Sequence, residues 1–190
     1  MKLTRKPRRR DATATRAAIL DAARNLFAKD SYDNVGIREI ASLAGVDSAL
    51  VSRYFGCKQE LFIEVLASGK SGVDVFGTDF AELPERVAEV LLDPDDEDNS
   101  LDDILLAMHS SSSPVAGPLV RASIDERFEG PFAAIIGGDN AMVRSQLFGA
   151  MLLGITISQQ INGDLTENAA LRDQLKKRIS EIIALAISPL

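Results

Sequence analysis

The feature that most constrains the fold of this 190-residue sequence is the stretch at residues 37–55, IREIASLAGVDSALVSRYF. Its apolar residues recur at helical spacing on both sides of Gly45, which can adopt the left-handed backbone that ends a helix. Asp47 is then a good N-cap for a second helix, with Val46 placed to contact Val51 inside that helix. The stretch predicts two short helices that meet at a tight corner, an arrangement found both in DNA-binding helix-turn-helix proteins and in ordinary helical cores.

The second helix of this pair has one apolar face and one small or polar face. The side chains predicted to be buried are Leu50, Val51, Tyr54 and Phe55. The side chains predicted to face DNA bases are Ser48, Ala49, Ser52 and Arg53. Small and hydrogen-bonding side chains can approach base edges in a major groove. A guanidinium such as that of Arg53 can bond both acceptors of guanine, which discriminates between bases by about 1 to 3 kcal/mol.

The charge of the chain is divided unequally between its two parts. The formal net charge is −7, but residues 1–60 carry a net charge of +5 and residues 61–190 a net charge of −12. An acidic total argues against nucleic acid as a partner, whereas this division places the positive charge in the part that contains the helix pair. We therefore expect the N-terminal part to bind DNA.

Residues 15–62, TRAAILDAARNLFAKDSYDNVGIREIASLAGVDSALVSRYFGCKQELF, resemble the N-terminal DNA-binding domain of the TetR family of transcriptional regulators, without a gap over about 48 residues. The motifs that carry the resemblance are the apolar pattern of the first helix, IREIASLAGV in the second, RYF at the end of the third and CKQELF at the start of the fourth. The positions that depart from the usual family pattern are Ser31, Gly36, Ser52 and Cys57. Because Ser52 stands where a tyrosine often contacts DNA, the resemblance implies DNA binding without implying a particular operator.

Basic residues near the helix pair are expected to contact DNA phosphates. Arg38 starts the second helix, whose free backbone donors and partial positive charge favour a phosphate. The resemblance implies phosphate contacts for Arg38, Tyr54 and Lys58, although Tyr54 fits a core position equally well and the two cations could be plain surface residues. A basic arm at residues 1–12 is either solvated or laid along phosphates and a minor groove, with salt-sensitive affinity. Its candidate contacts are Arg8, Arg9 and Arg10.

The complete pattern predicts an all-α protein of about nine helices. The expected domains are the basic arm at 1–12, a three-helix helix-turn-helix domain at 13–57, and a larger helical ligand-binding and dimerisation domain at 58–190. By resemblance, a fourth helix at 58–70 connects the domains and transmits a signal through its tilt. Gly130 and Pro131 are expected to kink or break a later helix, which would leave a gap for a small apolar ligand.

Candidate residues for that ligand pocket are chosen from apolarity and position, and an ordinary core role is the alternative for each. They are Phe62, Leu66, Phe80, Met108, His109, Phe128, Phe132, Met151 and Ile155. Serines follow His109, but adjacent residues cannot easily form a catalytic triad, and no nucleophile-elbow pattern is present. One histidine and one cysteine provide no metal constellation. We therefore expect no enzymatic activity, no cofactor and no metal site.

The last two predicted helices indicate an interface with a second copy of the chain. The segment at residues 141–161 is apolar on nearly every face, and an apolar stripe marks the final helix. A helix that is apolar all round must be covered all round, and so short a chain has few helices to cover it; an ordinary core is the alternative. By resemblance, these helices form a four-helix interface in a homodimer. The candidate interface residues are Val143, Leu147, Ala150, Met151, Gly154, Ser158, Leu175, Ile179, Ile182 and Ala186.

A cytoplasmic protein is expected, because no apolar stretch follows the basic start and the most apolar run, residues 147–157, is shorter than the roughly 20 residues of a membrane span. With the resemblance, the pattern predicts a homodimeric repressor that a small-molecule inducer releases from a palindromic operator. Two-fold symmetry would place the half-sites about one helical turn, or a multiple, apart. The alternative is a helical protein-interaction module or adaptor with only non-specific DNA binding.

Overall fold

The computed structural model describes residues 12–92, 100–162 and 169–189, and within them the regular secondary structure is entirely helical. The α-helices are α1 (Ala12–Lys29), α2 (Ile37–Leu43), α3 (Ser48–Phe55), α4 (Lys58–Ser68), α5 (Gly72–Phe76), α6 (Leu83–Leu91), α7 (Ser100–Ser110), α8 (Ala116–Ile124), α9 (Gly130–Ile136), α10 (Ala141–Asn162) and α11 (Ala169–Ile187). A π-helical turn, Asp125–Glu129, joins α8 to α9. Helices α8 and α9 and the turn between them follow one another as one continuous helix. Counted in this way and without the short α5, the described residues form nine helices. The predicted all-α fold is confirmed.

The first of two hydrophobic cores joins α1 to the helix-turn-helix. Ile19 and Phe27 of α1, Ile40 of α2 and Phe62 of α4 are fully buried in it. The rings of Phe27 and Phe62 meet edge to face with their centroids 5.0 Å apart, a geometry that adds to the stabilisation from burial. Leu106 of α7 belongs to the same core. Helices from both predicted domains are therefore packed together around α1, and the boundary at residue 57 stays a prediction.

The second core lies among α5, α6, α9, α10 and α11. At its centre are phenylalanine rings whose neighbouring centroids lie between 4.9 and 6.2 Å apart. These residues are Phe76, Phe128, Phe132 and Phe148. Val87 of α6 and Ile183 of α11 are fully buried beside them. This ring cluster holds the elements that surround the cavity described below.

Of the kink or break predicted at Gly130 and Pro131, the break is wrong, because the helix widens at that point and continues; the kink stays a prediction. Gly130 keeps helical backbone angles, with φ −62° and ψ −53°, and its amide donates to the Asp125 carbonyl oxygen, five residues back. Proline has no N–H to donate and its ring crowds the preceding turn, and a single π-helical turn accommodates both effects. Such turns often mark functional sites. Here the turn supplies three successive cavity-lining residues, Arg127, Phe128 and Glu129.

Helix α10 is longer than the apolar run that was predicted. Among the described residues, the stretch Ala141–Gln159 has mean hydropathy 1.3 and is long and apolar enough to cross a membrane by length and composition alone. The core helix of a soluble protein meets the same criterion, so this one helix does not indicate a membrane protein. Arg144 lies buried near its start. Its guanidinium donates to the carbonyl oxygens of Gly137, Asp139 and Ile187.

Candidate nucleic-acid interface and ligand cavity

The corner between α2 and α3 has the predicted geometry. Gly45 has φ +65°, in the left-handed region that glycine adopts without steric cost. The Val46 amide donates to the Ala41 carbonyl oxygen at 2.9 Å. The Asp47 side chain accepts a 2.8 Å hydrogen bond from the Ala49 amide and so caps α3. Both the glycine corner and the Asp47 cap are confirmed.

Helix α3 carries the predicted base-facing side chains on its outer side. Its inner side is buried through Val51 and Phe55. On the outer side the exposed residues are Ala49, Ser52 and Arg53, with Ser48 half-buried at the start of the helix. Because these positions share one side of a short helix, their side chains can reach the floor of a major groove together. Their contact with bases stays a prediction.

The candidates for phosphate contact differ in their placement. Arg38 is exposed in the first turn of α2, after Gly36, whose extended backbone forms the N-cap. Tyr54 is half-buried and packs against the first core. The Lys58 ammonium lies 4.3 Å from the centre of the Tyr32 ring, and burial lowers the pKa of Lys58. Without DNA, this side chain therefore lies against the protein. The candidates that lie outside the described residues are Arg8, Arg9 and Arg10.

A charged residue that sequence reasoning missed holds α3 in place. Arg16 of α1 lies over the Phe55 ring, 4.8 Å from its centre, and forms an ion pair with Glu64 of α4. A cation–π contact at a partly exposed site contributes about 0.5 to 1 kcal/mol. Arg16 thereby links α1, α3 and α4. The sequence contains no sign of this role, because both partners are distant along the chain.

A cavity of about 320 Å³ lies among α4 to α8, the π-helical turn and α10. Its volume is at the lower end of the range for small-molecule sites. Aliphatic and aromatic side chains form most of its wall, including Leu66, Phe76, Leu91, Ile104, Phe128 and Leu153. The polar residues at the wall are Lys70, Asp103, Ser123, Arg127, Glu129 and Gln146. An apolar chamber with a few polar groups on its wall is typical of a ligand site.

Of the predicted pocket residues, Leu66 and Phe128 line this cavity, and so does Ala150, which was predicted at the dimer interface. The others do not line it. Phe62 and Phe132 are fully buried in the two cores, where they contact other rings. Phe80 is exposed in the turn before α6, and the half-buried residues are Met108, His109, Met151 and Ile155. Sequence reasoning failed here because apolar residues that fill a core and those that line a cavity have the same pattern.

The serines after His109 form structural hydrogen bonds. The Ser110 hydroxyl accepts a 3.2 Å bond from the Tyr32 amide, and the Ser113 hydroxyl donates to the Asp33 carboxylate at 3.0 Å. Both bonds join the end of α7 to the loop that follows α1. These two hydroxyls therefore have a role in holding the end of α7 against the loop between α1 and α2.

The polar side of the cavity was not anticipated from the sequence. Arg127 donates hydrogen bonds to the carbonyl oxygens of Ala67, at 2.8 Å, and Gly69. Asp103 forms an ion pair with Arg24 of α1. These contacts join the cavity wall to the last turn of α4 and to α1. The cavity thus borders the helix that was predicted to connect the two domains.

An apolar stripe on α10 and α11 is uncovered in the single chain. Val143 and Leu147 are 62% and 51% exposed, and Ile182 of α11 is 52% exposed. Ala150 and Gly154 continue the exposed stripe along α10, with the alternating four- and three-residue spacing of a helix–helix seam. The remaining interface candidates point further inward: Met151, Ser158, Leu175 and Ala186 are half-buried and Ile179 is buried in the second core.

Two family models match the chain. The model for bacterial regulatory proteins of the tetR family matches residues 19–65, and the model for the tetracyclin repressor-like C-terminal domain matches residues 81–185. A curated relative, the HTH-type transcriptional repressor NicS of Pseudomonas putida, is 39% identical over 59 residues, which are 31% of this chain and 28% of NicS. The chain therefore matches less than a third of the length of that relative.

Solved structures share the fold over nearly the whole chain. NalD, the secondary repressor of the MexAB-OprM multidrug efflux pump in Pseudomonas aeruginosa, has a TM-score of 0.67 at 18% identity and is matched over 93% of this chain and 97% of NalD. A TetR transcriptional regulator from Rhodococcus sp. RHA1 has a TM-score of 0.50 at 20% identity, over 93% and 98% of the two chains. At these identities, the likeness shows the fold alone.

Proposed function

Because the chain belongs to the TetR family of transcriptional regulators, we propose that it is a homodimeric repressor that reads a palindromic operator and leaves it when a small-molecule inducer fills the cavity. The observation that carries this proposal is the outer face of α3, on which Ala49, Ser52 and Arg53 are exposed while the inner face is buried. Such a helix can contact bases without disturbing the core. The proposed location is the cytoplasm, and the proposed activity is binding without catalysis.

The proposed contacts divide between bases and phosphates. The Arg53 guanidinium bonds a guanine, the Ala49 methyl group lies against a thymine methyl, and Ser48 and Ser52 bond bases or nearby phosphates. Phosphates are held by Arg38, Tyr54 and Lys58, and by the arm residues Arg8, Arg9 and Arg10. For Lys58 this contact requires its ammonium to leave the Tyr32 ring, which is a small rearrangement because a cation–π contact at such a site is worth about 1 kcal/mol.

Dimerisation through α10 and α11 is supported by the exposed apolar stripe. Val143, Leu147 and Ile182 are exposed to an extent that is unusual for a run of large apolar side chains on neighbouring helices. A second copy that covered the same face would bury all of them by two-fold symmetry. The two copies of α3 would then face successive major grooves of one duplex, about 34 to 36 Å apart or a multiple of that distance.

Release by an inducer is supported by the position of the cavity beside α4. A ligand that binds better to the conformation with wrongly spaced recognition helices must weaken operator binding. By linkage, operator DNA must weaken inducer binding by the same factor. Measuring both factors is therefore an internal check on the proposal.

The experiment that tests the proposal is selection of bound sequences from a random duplex pool at two salt concentrations. We expect an enriched palindrome at both concentrations. Diffuse, strongly salt-sensitive binding would mean that basic residues hold phosphates while α3 reads nothing. That result would contradict the proposal and favour the alternative, a helical protein-interaction module.

The variant Arg53→Ala tests base readout by α3 directly. The affinity of the variant dimer for the selected palindrome should fall roughly 30-fold or more, because it loses two guanine contacts, one in each half-site, that are each worth about 1 to 3 kcal/mol. Arg86→Ala is the matched control, since Arg86 is an exposed arginine on α6, away from α3. Equal affinities of the Arg53→Ala variant and the parent protein for the palindrome would refute the assignment of Arg53.

A further inference from the structure

The last turn of α4 is held by two arginines that come from different parts of the molecule. Arg24 of α1 donates to the Val65 carbonyl oxygen at 2.9 Å. Arg127 of the π-helical turn donates to the carbonyl oxygens of Ala67 and Gly69. The last carbonyl groups of a helix have no partner within the helix and carry partial negative charge, so cations stabilise them. One arginine belongs to the DNA-binding side and the other to the cavity wall.

The two arginines differ in their acidic partners. Arg24 forms an ion pair with Asp103, whereas the hydrogen bonds of Arg127 within the described residues go to neutral carbonyl oxygens. The nearby Glu129 carboxylate accepts a 3.2 Å bond from the Gln146 amide. Arg127 is also half-buried. The Asp74 carboxylate interacts with Arg127 electrostatically, but the hydrogen bonds of this half-buried guanidinium go to neutral oxygens on a mainly apolar wall. It is therefore a site that a hydrogen-bonded ligand anion would stabilise.

The chemistry of the guanidinium limits what can compete for it. It has five N–H donors and no acceptor, so only an acceptor group on a ligand can displace the carbonyl oxygens of α4. A carboxylate matches the two parallel donors of arginine and forms stronger bonds than a neutral oxygen does.

The remainder of the cavity fits an apolar ring. Phe76, Leu91 and Phe128 lie on its wall, and its volume of about 320 Å³ is small. Phe128 stacks on Phe148 with ring centroids 5.5 Å apart. A Cβ atom at Gly149 would lie 3.1 Å from the Phe128 ring, so α10 approaches that ring closely because Gly149 has no side chain. An aromatic wall beside a guanidinium suits a flat apolar body that ends in an acceptor.

We propose that the cavity binds a small aromatic or otherwise apolar carboxylate, and that this carboxylate draws the Arg127 guanidinium away from the carbonyl oxygens of Ala67 and Gly69. This inference rests on the proposed function, because it treats the cavity as the inducer site. Loss of the two bonds loosens the last turn of α4 on its cavity side, while Arg24 still holds the other side. The occupied cavity thereby changes the position of the helix that connects it to the DNA-binding domain.

The test compares two probes that differ only in their polar group, 2-naphthoate and 2-naphthalenemethanol, by calorimetric titration of the full chain. We expect 2-naphthoate to bind roughly tenfold or more tightly than the alcohol, because its contact with Arg127 is bidentate and charge-assisted. Hydrogen exchange at the end of α4 should accelerate with 2-naphthoate and stay unchanged with the alcohol. Equal affinities, no binding of either probe, or an α4 that is equally protected with both probes would overturn the proposal.

The variant Arg127→Gln and its control Arg121→Gln test whether Arg127 is the residue that prefers the carboxylate probe and protects the end of α4. Arg121 is exposed on α8 and does not line the cavity. Arg127→Gln should remove the preference for 2-naphthoate and make the end of α4 exchange rapidly without a ligand, whereas Arg121→Gln should behave as the parent protein does. A preference that survives in Arg127→Gln would overturn the assignment of that residue. If this variant does not fold, the comparison of the two probes on the parent protein still decides the question.

No DNA is present in these titrations, so this proposal and the proposed function can fail separately. If the probes behave as expected and no palindrome is selected, the proposed ligand class is supported and the proposed repressor function is refuted. If a palindrome is selected and the two probes bind alike, the proposed repressor function is supported and the proposal of a carboxylate ligand is refuted.

Discussion

Arg144 is expected to be the most important single polar residue for the stability of the C-terminal helices. Its side chain is buried, with 7% of the residue exposed. One guanidinium nitrogen donates to the Ile187 carbonyl oxygen at 2.6 Å, and the other donates to those of Asp139, at 3.0 Å, and Gly137. These carbonyl groups lie at the ends of α9 and α11 and in the loop before α10. One side chain thus holds three segments together.

The variant Arg144→Met keeps most of the apolar stem and removes the donors. Three hydrogen bonds are lost, and a net contribution of about 1 kcal/mol each gives a loss of about 3 kcal/mol in the free energy of unfolding. Charge-assisted bonds are stronger than this average, but removing a buried cation also removes its desolvation cost. The two corrections have opposite signs, so about 3 kcal/mol remains the expected value.

Urea unfolding followed by far-ultraviolet circular dichroism measures this loss. Both proteins are compared at one chain concentration, because the proposed dimerisation would make the apparent stability depend on concentration. The control is Arg178→Met on α11, whose side chain is 77% exposed and pairs with Glu181 at the surface; its effect should be below about 0.5 kcal/mol. A loss of less than about 1 kcal/mol for Arg144→Met would refute the reasoning, since it would mean that water satisfies the three carbonyl groups.

Three further predictions concern the proposed dimer interface, the cavity and the pH dependence of stability. Leu147→Glu should convert the proposed dimer to monomers in sedimentation measurements, because two-fold symmetry would bring the new charges together in an apolar seam; an unchanged mass would contradict the proposed interface. Ser123→Leu should fill part of the cavity and weaken binding of 2-naphthalenemethanol without lowering affinity for the palindrome; retained binding of the alcohol would mean that it occupies another site. Hydrogen bonds from the Ser71 hydroxyl and amide lower the pKa of Asp74, so its stabilising effect should be present above the ordinary carboxyl pKa and be lost as the pH falls through the lowered value. The difference in thermal midpoint between Asp74→Asn and the parent protein should therefore shrink from about pH 6 to about pH 3, and a difference that grows on acidification would reverse the assigned sign.

The ligand cavity shows where sequence reasoning reached its limit. Leu66 and Phe128, two of the predicted pocket residues, line the cavity, whereas Phe62 has the same apolar character and lies in the first core. The difference depends on which other rings reach each position, and Phe62 meets Phe27 and Tyr32 at 5.0 Å. Both neighbours lie at least 30 residues before Phe62 in the chain, so no local pattern distinguishes a core ring from a ring at a cavity.

The last two helices illustrate the same limit. An apolar stripe on α10 and α11 was evident, but Ile179 is buried and Ile182 is exposed three residues later. Periodicity establishes that α11 has apolar positions on more than one side, and only the packing of α11 against α6 and α10 decides which side is covered. The stripe that faces outward is the one left for a second copy.

The sequence by itself determined the helix-turn-helix, including the glycine corner, the Asp47 cap and the two faces of α3. These features are local, because the residues that form each turn and cap are neighbours along the chain. Tertiary structure alone decided that Arg127 and Arg24 meet at the end of α4 and that Arg144 joins α9 to α11. A charged side chain finds its partner only after distant segments are brought together, so the contacts that connect the cavity to the DNA-binding part could not be seen before the chain was folded.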